Sequence, residues 1–187
     1  MKPTKLIITA TFLLIVATSF GQTTKLVSSK THIKFYSHTP VEDIQANNYA
    51  SVSTIDQTSG DVVFSVPMQG FEFEKALMQK HFNGANFLDT KPFPKAKFKG
   101  KITNIAEIDF WKDGTYNALV EGEMTIKGKT NSIKEKGIIT VKGNVVTATS
   151  NFNITLADYG IAFEKGKPST NIAKTIEVTV HAEYKPE

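Results

Sequence analysis

The sequence contains no cysteine and no arginine, since all 22 of its basic residues are lysines. Without cysteine the chain can form no disulfide, no thiolate metal site and no lipidated-cysteine anchor. Arginine is the usual reader of guanine edges and the usual bidentate clamp on phosphate, so its absence argues against a nucleic-acid binder. The densest lysine group, in residues 91–101, alternates with Ala96 and Phe98. This pattern is typical of the solvent face of a strand, and contact with anionic lipid headgroups is the alternative.

Motifs of the common enzyme classes are also missing. The sequence has no Gly-rich phosphate loop, no GxSxG elbow, no HExxH motif and no cysteine nucleophile. The four histidines are too widely spaced for a metal site to be read from them: His32, His38, His81 and His181. We therefore expect no enzymatic activity, no catalytic residue, no metal and no required cofactor. An enzyme stays open as an alternative, with His81 or Asp158 in its active site.

Long apolar runs are rare, and the longest occupies residues 6–17. Lysines precede it, and the small residues Ser19 and Gly21 follow it at the positions that signal peptidase recognises. The run is shorter than the roughly 20 residues needed to cross a bilayer. We expect a cleaved signal peptide at residues 1–21 and one periplasmic or secreted domain at residues 22–187, with no stable membrane anchor.

The rest of the chain mostly alternates apolar and polar residues, which is the period of strands with one buried face. The predicted strands are 31–37, 48–56, 61–68, 95–108, 115–126, 131–141, 145–156 and 176–184. Turn residues separate several of them, and Asp113-Gly114 predicts a tight hairpin. Residues 72–82 instead show the spacing of an amphipathic helix.

An all-β fold follows from this pattern: an antiparallel lipocalin-like β-barrel of about eight strands with one short helix. A two-sheet sandwich would show the same alternation. A barrel of this size either fills its interior with side chains or holds one small ligand, and the pattern alone does not distinguish these cases.

Several motifs resemble those of one known family. Residues 78–82 (MQKHF), 86–89 (NFLD) and 92–98 (PFPKAKF) are similar to the H…FFD…YP…F signature of the YceI-like family. Residues 120–130 (VEGEMTIKGKT) resemble its G-x-L-T-I-[KR]-G-x-T hairpin, and residues 158–161 (DYGI) resemble its DFGI motif. The terminal strand at 176–184 also fits, so the resemblance covers roughly residues 24–184.

The resemblance implies a periplasmic, lipocalin-like barrel with a long apolar cavity for an isoprenoid tail and no enzymatic chemistry. A bound isoprenoid or quinone-like lipid is the ligand it suggests, and family members include homodimers. Two departures bear on the ligand headgroup. Gln79-Lys80 stands where the family commonly has an arginine before its histidine, and residues 39–44 replace the usual early strand motif.

The candidate ligand-binding residues are mostly apolar side chains of the strands and of the loop after the helix. They are Phe64, Phe82, Phe87, Phe93, Phe98, Met124, Ile126, Phe152 and Ile154. In a barrel the same positions would equally fill a core. His81 either contacts ligand at the barrel mouth or forms a structural hydrogen bond with the backbone. Tyr159 either reaches the ligand through its hydroxyl or belongs to a turn that closes one end.

We expect a periplasmic or secreted binding protein that sequesters an isoprenoid or other amphipathic lipid in an apolar cavity. Hydrophobic burial would hold the tail, at up to about 0.8 kcal/mol per buried methylene. The alternative is a non-enzymatic stress-response or interaction module whose barrel core is filled by its own side chains.

Overall fold

The structure is a computed structural model, and it describes residues 25–161, 163–164, 167–168 and 171–186. The expected signal peptide at residues 1–21 lies outside the described residues. The strands follow one another as β1 (Lys25–His38), β2 (Asp43–Asn48), β3 (Val52–Asp56), β4 (Asp61–Pro67), β5 (Phe71–Glu72), β6 (Lys95–Ile102), β7 (Gly114–Ile126), β8 (Lys129–Lys142), β9 (Val145–Thr155), β10 (Phe163–Glu164), β11 (Lys167–Pro168) and β12 (Thr175–Pro186). The helix α1 is Ala76–Asn83, and short 3-10 turns lie at Met68–Gly70, Ile105–Glu107 and Leu156–Tyr159.

The strands close into an antiparallel barrel of eight positions. Neighbours around the wall are β1, β3, β4, β6, β7, β8, β9 and β12, and β12 pairs again with β1. The long β1 pairs with β3 near its start, at Lys25–Val27, and with β2 near its end, at Ile33–His38. The prediction of a lipocalin-like all-β barrel with one short helix is confirmed, and the sandwich alternative is wrong.

A buried asparagine interrupts the strand that was predicted at residues 48–56. Asn48 donates from Nδ2 to the Pro67 carbonyl over 2.8 Å, and its Oδ1 accepts from the Ala50 amide and the Ser51 hydroxyl. These bonds satisfy backbone groups where the ladder is broken. The chain therefore turns between β2 and β3 without leaving polar atoms unpaired at Asn48.

The strand predicted at residues 95–108 ends earlier, at Ile102. Asn104 takes over the hydrogen bonds of the neighbouring strand: its Oδ1 accepts from the Leu119 amide, and its Nδ2 donates to the Asn117 carbonyl. An asparagine side chain competes well with the backbone for such bonds, so the ladder stops here. Along β6 the lysines at 95, 97, 99 and 101 are exposed, as their alternation predicts.

The tight hairpin predicted at Asp113-Gly114 is wrong. Ile102 pairs with Val120, so an eleven-residue connection, 103–113, joins β6 to β7. The Asp113 carboxylate instead accepts a hydrogen bond of 2.8 Å from the Gly143 amide and so joins this connection to the β8–β9 turn. The connection carries apolar side chains that cover one end of the barrel. The Asp-Gly pair alone gives no information about this role.

The helix is shorter than predicted, because Phe71–Glu72 forms β5 against Asn47 and Asn48 of β2. Only residues 76–83 are α-helical, and Phe82 is buried while Leu77 is 63% exposed. The helix predicted from the apolar spacing is present in the second half of residues 72–82. At the start of the segment the pairing with β2 prevails over the helical pattern, as tertiary context often does.

Two buried clusters occupy the two ends of the barrel. The closed-end cluster contains Leu26, Ile55, Val62, Phe98, Ile102, Ile108, Phe110, Ala118, Ile139, Val141, Val146, Ala182 and Tyr184. The helix-end cluster contains Ile33, Ala46, Met68, Phe71, Phe82, Leu88, Ile126, Leu156, Tyr159, Ile161 and Val178. Between them the inward positions of the wall are often small, and this leaves space inside.

The clearest of these small positions is a pair of glycines that face each other across β6 and β7. A Cβ on Gly122 would lie 2.4 Å from the Gly100 Cα and 2.8 Å from the Phe98 ring. Only glycine allows this close approach. The ring of Phe98 therefore lies against the wall, and the barrel centre stays open.

Tyr184 in the closed-end cluster gives a test of the fold. Its hydroxyl lies 2.7 Å from the Ser53 hydroxyl, and burial raises its pKa from 10.0 to about 12. The folded protein favours the neutral form of Tyr184, so the folded pKa lies above the unfolded pKa. The stability that this difference gives the fold is fully present below pH 10 and is lost as the pH rises to about 12. It corresponds to about 3 kcal/mol at most.

We expect the Tyr184→Phe variant to lose less stability than the wild type between pH 10 and pH 12, measured by urea unfolding. Tyr49→Phe is the matched control, because Tyr49 is 60% exposed. Equal alkaline losses in the Tyr184→Phe variant and the wild type would contradict the account.

Candidate functional site

A cavity of about 1280 Å³ lies inside the barrel between the two clusters. Its wall is predominantly apolar and comes from strands all around the barrel, among them Ile33, Phe64, Val66, Val120, Met124, Ile139, Phe152 and Val178. Ligand pockets for drug-sized molecules usually measure about 300–1,000 Å³, so this cavity is larger than most. It can hold one long apolar molecule.

The closed end of the cavity is sealed by packed side chains. Ile108 and Phe110, from the β6–β7 connection, are 7% and 4% exposed and pack with Leu26, Val141 and Val146. None of these five residues lines the cavity. They therefore form a floor beneath it, and the cavity opens elsewhere.

The other end is covered by residues 73–94, which we call the cover segment. Phe82 on α1 is 7% exposed and packs at ring-centroid distances of 5.0–6.1 Å against four aromatic rings: Phe35, Phe71, Phe73 and Phe87. Aromatic pairs in this range contribute roughly 0.5–1.5 kcal/mol each beyond the area they bury. The ring cluster therefore fastens the cover segment to β1 and β5.

Polar contacts fasten the edges of the cover segment. Lys127, in the β7–β8 turn, donates from Nζ to the Phe87 carbonyl. Lys75 forms an ion pair of 3.7 Å with Glu42, which lies in the β1–β2 turn. The Lys75–Glu42 pair is at the surface, where an ion pair contributes little stability.

The cavity reaches the surface beside α1. Lys80 and His81 are exposed and also line the cavity, so the helix flanks an opening. Glu42 and Asn171 line the cavity on neighbouring segments. The mouth therefore has polar and charged side chains around an apolar interior, which is the arrangement that suits an amphipathic ligand.

One carboxyl group lies within the apolar wall. Glu135 sits on the inward face of β8, between Ile133 and Gly137 and opposite Val120 of β7, and all four residues line the cavity. Burial raises the pKa of its carboxyl above the ordinary value. No hydrogen bond or ion pair from the described residues reaches this carboxyl group.

The barrel wall divides close to Glu135. Strands β8 and β9 pair from Lys142 and Val145 as far as Gly137 and Ser150, although β8 starts at Lys129 and β9 continues to Thr155. Where the ladder ends, the Ser150 hydroxyl donates to the Lys136 carbonyl over 2.6 Å. We call this parting of the two strands the fork.

Most of the sequence-predicted ligand residues line the cavity in the structure. They are Phe64, His81, Phe82, Phe87, Phe98, Met124, Ile126, Phe152 and Ile154. His81 is exposed, and no hydrogen bond from it to described backbone is present, so the structural alternative gains no support. Whether these residues contact a ligand stays a prediction.

Two of the predicted residues do not line the cavity. The ring of Phe93 lies so close to Gly128 in the β7–β8 turn that a Cβ there would come within 2.7 Å of it. Tyr159 is 3% exposed and packs in the helix-end cluster, where its hydroxyl bonds with the Asn131 side chain and burial raises its pKa. Both side chains support the end of the barrel from outside the cavity.

Sequence reasoning missed Glu135 and the fork. Alternation along residues 131–141 does place Glu135 on the same face as Ile133 and Ile139, and this was the available signal. A charged residue on a face that is otherwise apolar marks an inward polar site. The end of the β8–β9 ladder has no such signal, because both strands keep their alternation beyond it.

No group of three or more His, Asp or Glu side chains that could hold a metal ion occurs among the described residues. No helix in the described part of the chain is long and apolar enough to cross a membrane.

The sequence matches a family model described as the YceI-like domain over residues 23–184. No curated protein matches the chain.

Solved structures show the same fold. A polyisoprenoid-binding domain from Saccharophagus degradans, implicated in plant cell wall breakdown, matches with a TM-score of 0.73 and 12% identity over 87% of this chain and 98% of that one. BcnA from Burkholderia cenocepacia matches with a TM-score of 0.67 and 15% identity, over 82% of this chain and 95% of that one. A YceI protein from Campylobacter jejuni matches with a TM-score of 0.58 and 16% identity, over 75% and 82%.

The ring cluster around Phe82 predicts how the cover segment is held. We expect Phe82→Ala to speed amide hydrogen exchange in residues 76–90, because truncation of a buried phenylalanine costs about 3–5 kcal/mol of packing. Exchange followed by mass spectrometry measures this. Leu77→Ala is the control on the same helix, since Leu77 is 63% exposed. Unchanged exchange in Phe82→Ala would show that the rings do not hold the segment.

Proposed function

The chain belongs to the YceI-like family, and from this premise we propose that it binds an isoprenoid or other amphipathic lipid inside its barrel. The polar end of the ligand stays at the surface or at a polar part of the wall, and the apolar chain occupies the cavity. The protein acts as a carrier and performs no chemistry on its ligand.

One observation carries this proposal: the apolar cavity of about 1280 Å³ with a sealed floor. At about 30 Å³ per molecule of liquid water, this space equals roughly 40 waters. Water gains little from an apolar wall, so an apolar chain that fills the space is favoured by the hydrophobic effect. A methylene buried there contributes up to about 0.8 kcal/mol.

The polyisoprenoid-binding domain from Saccharophagus degradans supports the choice of ligand class, because it shares the fold. A shared fold does not by itself carry a function to another protein. The cavity supplies the separate argument from this chain's own residues. A quinone-like lipid has the same kind of tail and is included in the proposal.

The alternative of a filled barrel core does not fit the structure. It requires a packed interior, whereas inward glycine and alanine residues leave the barrel centre open. An interaction role on the outer surface would not need this cavity.

We also propose that the protein works outside the cytoplasm. Support comes from residues 1–21, whose lysines, apolar run and small residues have the layout of a secretory signal. A carrier for poorly soluble lipids would serve in the periplasm or in the extracellular medium.

Native mass spectrometry with organic extraction tests the function. Protein expressed with its signal and purified from the periplasm without detergent should release one long-chain isoprenoid or other lipid per chain on denaturation. Its polypeptide mass should be that of residues 22–187. A ligand-free mass, unchanged after incubation with quinones and isoprenoid alcohols, would contradict the proposal.

A cavity-filling variant gives a second test. Ala148 lines the cavity from β9 with its methyl group, so Ala148→Phe places a ring in the open space. We expect binding of a C20 isoprenoid alcohol to weaken about tenfold or more, while the thermal unfolding temperature stays the same or rises because the ring fills an existing cavity. Thr147→Phe is the control, since its side chain is on the opposite face of β9. Equal affinities in the two variants would contradict binding inside the barrel.

A further inference from the structure

The structure assigns a position to the polar end of the ligand. We propose that the fork between β8 and β9 holds this end, and that Glu135 there selects headgroups that donate a hydrogen bond, such as alcohols and amines, over headgroups that end in phosphate or carboxylate. This inference rests on the proposed lipid-binding function and deepens it.

The Glu135 carboxyl group lies in an apolar part of the cavity wall. Glu135 points into a cavity whose neighbouring wall is Val120, Ile133 and Gly137, and none of these offers a side-chain donor. The carboxyl group is partly buried, and this partial loss of hydration disfavours its charged form. No hydrogen bond from the described residues compensates for that loss, so a ligand headgroup that donates a hydrogen bond would be favoured at this position.

The barrel wall has a gap between β8 and β9 beside Glu135. Beyond Gly137 and Ser150 the ladder between β8 and β9 stops, and Phe152 on β9 pairs only with Val178 of β12. At the other end of the gap, the Asn131 side chain donates to the Asp158 carbonyl and joins β8 to the 3-10 turn after β9. The gap is therefore bounded at both ends, and Glu135 lies within it.

At the fork, the central cavity and an outer-surface pocket share lining residues. Gly137, Ile138, Thr149 and Ser150 line the central cavity and also a shallow pocket on the outer surface. The wall is thin here, so a polar headgroup at the fork keeps access to water while its tail stays in the barrel. The Ser150 hydroxyl, which donates to the Lys136 carbonyl, adds a polar group at the end of the ladder.

Charge gives the selectivity. A phosphate or carboxylate headgroup at the fork would lie beside the Glu135 carboxylate, and two like charges at short distance repel each other. A hydroxyl or ammonium group donates to it instead. Lys134 and Lys136 lie on the exposed face of β8, and Lys134 is paired with Glu121 at 3.0 Å. The lysines therefore act on the outside of the fork, and Glu135 acts on the inside.

The test compares two ligands that have the same tail, geranylgeraniol and geranylgeranyl monophosphate. The affinity of each ligand is measured by displacement of the neutral fluorescent probe N-phenyl-1-naphthylamine from wild-type protein, from Glu135→Gln and from the control Glu123→Gln. Glu123 is exposed on the outer face of β7. Glutamine keeps the shape of glutamate and removes its charge, so the variant isolates the electrostatic contribution.

We expect wild type and Glu123→Gln to bind the alcohol at least about tenfold more tightly than the phosphate, and Glu135→Gln to reduce this ratio to about threefold or less. A ratio that Glu135→Gln leaves unchanged, or a wild type that prefers the phosphate, would overturn the selectivity while lipid binding itself stands. Failure of both ligands to displace the fluorescent probe from wild type would overturn both proposals.

Discussion

Closure of the sheet by the pairing of β1 with β12 is the constraint on which the rest of the structure depends. It joins the first and last strands of the wall and so fixes which side chains face inward. A closed barrel of eight strands has room for side chains alone or for one ligand, and residue size decides between them. Here Gly100, Gly122, Gly137 and Ala148 stand at inward positions, so closure produces a cavity between two packed ends.

The two ends of the barrel are built differently, and this matches a carrier. The floor belongs to the connection 103–113, whose Ile108 and Phe110 pack among strand residues that are themselves in the ladder. The cover segment is held mainly by rings around Phe82, with few backbone bonds to the strands. Local opening takes place where ladder hydrogen bonds are fewest, and in this barrel those places are the helix end and the fork.

Much of the fold was predictable from the sequence, because alternation determines which face of a strand is buried. It predicted most of the strands and the barrel class, and nine of the eleven side chains assigned to ligand binding do line the cavity. It failed where side chains replace the backbone ladder, as Asn48 and Asn104 do, since one asparagine in a strand pattern does not show whether it will interrupt the pairing. The fork could not be predicted from the sequence for a related reason. It depends on where β8 and β9 separate, and both strands keep their alternation past that point.

The dependence of affinity on chain length tests the central claim most directly. Isoprenoid alcohols of 10, 15, 20 and more carbons share a headgroup and differ only in the length that the cavity buries. If the barrel holds the tail, affinity should rise by about tenfold or more per isoprene unit and then level off once the cavity is full. An affinity that does not depend on chain length would place the ligand on the surface and contradict the account.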